Sequence, residues 1–323
     1  MRADPRLRVA VVAAAAAGVV ALLVLHGPDW HAVGRSLAGM SWSWALAAVG
    51  LNLASAIARG FAWRTVVDAA LPEPHPRTID VFSAFFVGIF ANGVLPGRVG
   101  EVARVGVLVR RLPEREGAWP KLLGSVLAHR LLEILPSLAL IVWVLAAAKL
   151  PGWGRSALLG VFGGAVVALG AGVALARREQ DVAATSRLRA TVVRVRQGLG
   201  VLRRPRAALL ASALQTTAWA LQLGAVWIAM RAFHMHLPAI AAGTVLALMN
   251  VALILPLWPG NVGLQQAAIA LPLIAYGIPY AHGFAYGIGL QAIESSVGYV
   301  LGIAFVLREG LTLRTLRFGL ARP

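Results

Sequence analysis

Cysteine is absent from all 323 residues, which removes disulfides and thiolate metal sites from consideration. Charge is scarce as well, at 13% of residues, where a soluble domain carries about a quarter. Acidic residues are the scarcest: 13 Asp and Glu stand against 30 Lys and Arg, and only 2 of those 30 are lysine. No Gly-x-x-x-x-Gly-Lys-Ser/Thr loop occurs, so no P-loop ATPase is built in. His-Glu-x-x-His, Gly-x-Ser-x-Gly and metal-spaced acidic clusters are missing too. No enzyme activity, cofactor or metal site is expected.

What is present is apolar. Hydrophobic residues make up 59% of the chain and mean hydropathy is +0.75, with runs long enough to cross a bilayer recurring throughout. The expected fold is an all-α polytopic membrane protein forming a single domain over 1–323. Full spans are expected at about 9–25, 42–67, 122–148, 156–176, 207–230 and 282–307. The basic start and apolar run at 1–25 also describe a signal peptide, but no small-x-small cleavage site precedes Gly27-Pro28, so a retained span is expected.

Two further apolar stretches, 79–112 and 239–277, are interrupted by the same pattern. The first contains Pro96-Gly97-Arg98-Val99-Gly100 and the second Pro259-Gly260-Asn261-Val262-Gly263, at a spacing of 163 (259 minus 96). Proline removes a backbone donor and glycine permits positive φ, so each copy breaks a helix. Each stretch is too short for two spans and a turn, and is expected to be a re-entrant helical hairpin. Paired breaks in corresponding halves point to the binding site of a transporter built from inverted repeats. Residues 1–149 form the first half and 150–323 the second. Asn92, Pro96, Asn250, Pro256, Pro259, Gly260 and Gly263 mark the breaks.

The net charge of +17 follows the loops and is no sign of nucleic-acid binding. With this span order, 25 of the 30 basic residues fall on one side, 4 fall on the other, and Arg130 lies inside a span. The positive-inside rule then places both termini in the cytoplasm. Arginine in place of lysine, with much Ala, Gly and Val, suggests a GC-rich bacterium and hence its cytoplasmic membrane. At 178–206 an apolar stripe of Thr185, Leu188, Val192, Val195, Leu199 and Leu202 is flanked by arginines, as in an amphipathic helix on the inner leaflet.

Arg98, Glu101 and Arg104 recur every third residue at the start of the helix after the first break. A helix N-terminus with two arginines suits a phosphate, and Gly97 and Gly100 let the backbone approach it. The second break offers Asn261 and Gln265 instead, amides that bind a headgroup without trapping it. His129, Arg130 and Glu133 share one helical turn within a span, and Glu294 stands alone in the last. Such residues serve coupling or structure: Glu133 is expected to pair with Arg130 or a hairpin arginine, and Glu294 is a candidate for proton exchange. Arg59, Trp63 and Arg64 read as interfacial anchors.

On Leu95-Pro-Gly-Arg-Val-Gly-Glu101-x-x-Arg104, Arg59-x-x-x-Trp63-Arg64, His129-Arg-Leu-Leu-Glu133 and Pro256-x-x-Pro259-Gly-x-Val-Gly263, the chain resembles the lysylphosphatidylglycerol synthase transmembrane (flippase) family over about 40–310. The resemblance implies movement of an anionic or headgroup-modified phospholipid between leaflets. It departs from the family's pattern in two ways. No stretch has the character of the soluble aminoacyl-transferase domain, and Asn261 and Gln265 stand where a glycine pair and a charge are common. A lipid flippase or scramblase is therefore expected. The alternatives are a secondary transporter of a soluble anion, or an accessory protein of lipid-linked glycan or hopanoid pathways. The expected partners are membrane lipids, with a homo-oligomer and a separately encoded synthase as further candidates.

Overall fold

The structure, a computed structural model, describes residues 28–71, 73–95, 99–113, 116–177, 187–254 and 261–312. The expected span at 9–25 lies outside them, as do Pro96, Gly97, Arg98, Pro256, Pro259 and Gly260. Among the described residues there are eleven α-helices, one 3-10 turn and no strand.

Five helices are long: α2 (Trp42–Ala70), α5 (Ala118–Ala147), α6 (Gly152–Arg177), α8 (Pro205–Ala232) and α11 (Tyr280–Arg308). At a rise of about 1.5 Å per residue they measure roughly 39–45 Å, enough to cross a hydrocarbon core of about 30 Å. They coincide with five of the expected spans. Leu46, Val167, Leu209, Val300 and Leu307 project from them, each at least 66% exposed. So much outward-facing aliphatic surface suits lipid, not water. The chain is a multi-pass membrane protein.

The short α1 (Trp30–Ala38) precedes them. Asp29 caps it, accepting from the backbone N–H groups of His31 (2.9 Å) and Ala32 (3.1 Å). The bond from Ala32 above all holds the Asp29 carboxyl below its ordinary value.

Each interrupted stretch is a pair of short helices. The first consists of α3 (Thr78–Val94) and α4 (Gly100–Val109), the second of α9 (Ala239–Ala252) and α10 (Leu264–Ile274). With 17, 10, 14 and 11 residues, none reaches the roughly 20 that a span requires.

Side chains at the two ends of α11 tie these pairs down. Glu309, just past its C-terminus, accepts from Ser83 of α3 (2.7 Å) and from Arg111, just past α4 (3.0 Å). Both ends of the first pair thus meet the same carboxylate. At the other end of α11, a ring nitrogen of His282 lies 2.9 Å from the carbonyl of Phe233, just before α9, while Ile278, which follows α10, packs into the same apolar cluster as Phe233. The two tie points are 27 residues apart (309 minus 282), or about 40 Å of helix.

Between them, α11 is flanked by α10 over its N-terminal half and by α3 over its C-terminal half. A Cβ at Gly287 would lie 3.1 Å from Gln266, and one at Gly298 would lie 2.7 Å from Ile89, so these glycines set the close approach. In the same way α9 meets the C-terminal half of α5, at Gly243 and Trp143.

The longest shared face joins α2 and α8. Ser55 Oγ donates to the Ala218 carbonyl at 2.7 Å, and Arg59 donates to the Gln222 side chain. Both pairs are 163 positions apart.

The basic segment differs from expectation in one respect. Helix α7 (Arg187–Gly198) forms, but Leu199 and Val201 at its end are fully buried in protein. Gly198 lies against Gly124 of α5, closer than any side chain would allow. The described part of the stripe therefore faces the bundle and not the leaflet. Thr185, Leu188 and Val192 lie outside the described side chains.

Candidate functional site

The first break is closed by Asn92, whose Oδ1 accepts from the backbone N–H of Gly100 at 2.8 Å. A Cβ on Gly100 would run into the Gly88 carbonyl and the Asn92 side chain, so glycine is required there. One turn later Arg104 and Glu101 form an ion pair at 2.6 Å, as their spacing predicts. Arg104 is only 4% exposed and stacks on Trp63 at 4.8 Å.

From Glu101 a continuous polar network crosses the molecule. Arg130 of α5 pairs with Glu101 and, at 2.6 Å, with Glu133. The other oxygen of Glu133 accepts from Arg59 of α2 at 3.0 Å. Arg59 also donates to Gln222 of α8, and Gln222 Nε2 donates to Glu294 of α11 at 3.1 Å. The chain of contacts runs Arg104, Glu101, Arg130, Glu133, Arg59, Gln222, Glu294. Three arginines balance three glutamates, which is how charge survives away from water.

The network borders a cavity of about 640 Å³ that both short-helix pairs help to line. Arg59, Arg130, Glu133, Glu294, Ser295 and Tyr299 line it, with Asn92, Asn250, Asn261 and Gln265 contributed by the broken stretches. A side chamber of about 90 Å³ adjoins it and shares Arg59, Asn92, Arg130 and Glu133; Glu101, Arg104, Gly100 and His129 complete it. His129 is buried beside the Gln215 amide (3.2 Å) and the Phe85 ring.

Sequence-derived site residues from both halves therefore converge on one cavity, with several changes of role. Arg59 and Trp63 are not interfacial anchors: Trp63 is fully buried and Arg59 sits inside the network, because α2 continues beyond them to Ala70. Arg64 alone lies near the edge, paired with Asp68 at 3.4 Å. Glu133 pairs with Arg130, one of the two expected partners, and gains Arg59 as a second. Glu294 gains an amide partner from a distant helix. Arg104 is consumed by Glu101 and Trp63, and the described arginine most open to the cavity is Arg130, at 48%.

At the second break Asn250 bonds back to Leu246 within its own helix (2.7 Å), while Asn261, at φ 44°, donates to the Ala252 carbonyl (3.2 Å) and closes the end of α9. Gly263, at φ 91°, donates its N–H to Gln266 Oε1 at 2.6 Å.

Gln222, Ser295 and Tyr299 have no counterpart in the sequence reading. The available signal was the 163-residue spacing, which sets Gln222 opposite Arg59.

Compared with known proteins, residues 7–302 match the family model described as the lysylphosphatidylglycerol synthase TM region. No curated protein and no solved structure matches the chain.

Proposed function

The chain belongs to the family of the lysylphosphatidylglycerol synthase TM region, and from that premise we propose that it moves an anionic or headgroup-modified phospholipid between the leaflets of the bacterial cytoplasmic membrane, as a flippase or scramblase. It does so by binding and release, with no covalent step. The carrying observation is where the cavity opens. Two of its wall residues, Tyr299 in the C-terminal half of α11 and Ile254 just past the short α9, are 37% and 48% exposed. Exposure at that depth faces lipid, so a headgroup enters sideways while its acyl chains stay in the bilayer.

The two short-helix pairs are re-entrant hairpins that enter from opposite faces. Support comes from Glu309, which holds both ends of the first at one end of α11, and from His282, which closes the second at the other. The two halves form an inverted repeat, supported by Ser55–Ala218 and Arg59–Gln222, where positions 163 apart touch as they would on a two-fold axis. Such a repeat lets a central site open alternately to either side. The basic loops support a cytoplasmic location for the Glu309 end and both termini.

Arg130 and Arg59, with Arg98, hold the phosphodiester through charge-assisted bonds. Glu101 and Glu133 orient them. Leaflet exchange of labelled lipid in vesicles that contain the purified chain is the test.

A further inference from the structure

The side chamber is walled by buried donors that the protein leaves without partners. Arg104, 4% exposed, meets Glu101 through Nη2 at 2.6 Å and the Trp63 ring through its flat face. Its Nε is buried and has no partner among the described residues. Arg59 directs its two terminal nitrogens to Glu133 and Gln222, and its Nε is likewise buried and unpartnered. Both arginines line the chamber. Buried polar atoms are rarely left unsatisfied without a reason, and a ligand is one such reason.

Charge and size select the ligand. A guanidinium N–H only donates, so the ligand must accept. The chamber wall sets Arg59, Arg104 and Arg130 against Glu101 and Glu133, a formal +1 (3 minus 2) before His129 is counted. Glu294, which completes the balance of the whole network, borders the main cavity and not the chamber. An uncompensated charge away from water is costly. Water would satisfy the N–H groups and leave that charge standing, whereas an anion answers both. The chamber's 90 Å³ equals the volume of about three waters. Pockets for organic ligands measure roughly 300–1,000 Å³, so a phospholipid headgroup is too large. A small anion with one or two waters fits.

We infer that the side chamber is a site for a small monovalent inorganic anion such as chloride, held by the Nε groups of Arg59 and Arg104 and separate from the lipid. The ion bridges α2, which carries Arg59, and α4, which carries Arg104. It therefore stabilises the folded chain whether or not lipid moves, and it leaves Arg130 free to meet a larger anion in the main cavity.

The full chain, purified in detergent in gluconate buffer, is titrated with radiolabelled chloride at constant ionic strength and melted at each concentration. Saturable binding of one chloride per chain is expected, with a rise in Tm of about 3 °C at ten times the dissociation constant. Bromide should displace the label, and the bulkier inorganic phosphate should not. Arg104→Met, which leaves the wall formally neutral, should weaken binding by about tenfold or more. Arg59→Lys keeps the charge but removes Nε and should weaken binding about tenfold; it serves as the second variant if Arg104→Met does not fold. A folded chain that binds no chloride saturably overturns the inference, and so does binding unchanged in the variants. Displacement by inorganic phosphate as readily as by bromide contradicts the size of the site. Displacement by a short-chain phosphatidylglycerol would make the chamber part of the lipid site and overturn the separate ion.

Discussion

Arg59 and Gln222 are hydrogen-bonded side chain to side chain although they stand 163 positions apart, the spacing that also separates Pro96 from Pro259. Each passes the connection to a carboxylate on the span that follows its own broken stretch, Arg59 to Glu133 and Gln222 to Glu294. The wiring is the same in both halves and only the charge differs. Glu133 is held by two arginines, Glu294 by one amide.

That asymmetry sets the first prediction. Glu133→Gln leaves Arg59 without a carboxylate and Arg130 with Glu101 alone, which should cost about 3–5 kcal/mol, as breaking a buried pair does. Glu294→Gln replaces one hydrogen-bonded partner of an amide and should cost about 1 kcal/mol. Thermal unfolding of the two variants in detergent compares them, and equal losses would contradict the network.

Gly100→Ala should prevent the first break from closing, since the new methyl meets the Gly88 carbonyl and the Asn92 side chain. A loss of about 2 kcal/mol or more is expected from the overpacking. Gly160→Ala, with open space around it, should be neutral or slightly stabilising, because alanine is the better helix former. If the two variants melt alike, the close approach at Gly100 is wrong.

The proposed re-entrant arrangement predicts which segments share a face of the membrane. The chain has no cysteine, so single cysteines can be introduced cleanly. His75→Cys and Glu116→Cys, both exposed and flanking the first hairpin, should react with an impermeant maleimide from one face of the membrane. His236→Cys and Ala275→Cys, exposed around the second, should react from the opposite face. Labelling of residues 75 and 116 from different faces would mean that the first stretch crosses the bilayer.

Arg130 is assigned to the phosphate because it is the described arginine most open to the cavity. Arg130→Lys keeps the charge but loses the planar fork. Lipid exchange should drop by about tenfold, the equivalent of roughly 1.4 kcal/mol, with thermal stability largely kept since a cation still faces Glu101 and Glu133. Wild-type exchange in this variant would remove Arg130 from the site.

Much of this was legible in the sequence. Five spans and both helix breaks follow from apolar length and from proline and glycine, which act locally. The Arg104–Glu101 and Arg130–Glu133 pairs follow from helical spacing. Partners chosen across the bundle were not legible. Arg59 near a tryptophan and a second arginine resembles an interfacial anchor, and only the continuation of α2 to Ala70 carries it inward. Glu294 looked solitary because its amide partner lies 72 positions earlier. Asn261 closes the end of α9 for a geometric reason: it tolerates the left-handed backbone needed to reach the Ala252 carbonyl.

The most direct measurement of the central claim is leaflet exchange by the wild-type chain in proteoliposomes that carry an acyl-labelled anionic phospholipid. An impermeant reductant bleaches only label in the outer leaflet. If the protein moves lipid, bleaching should continue beyond the outer-leaflet fraction, in proportion to the number of protein copies per vesicle. If bleaching stops at the level of protein-free vesicles while the protein is folded and inserted, the chain does not translocate phospholipid.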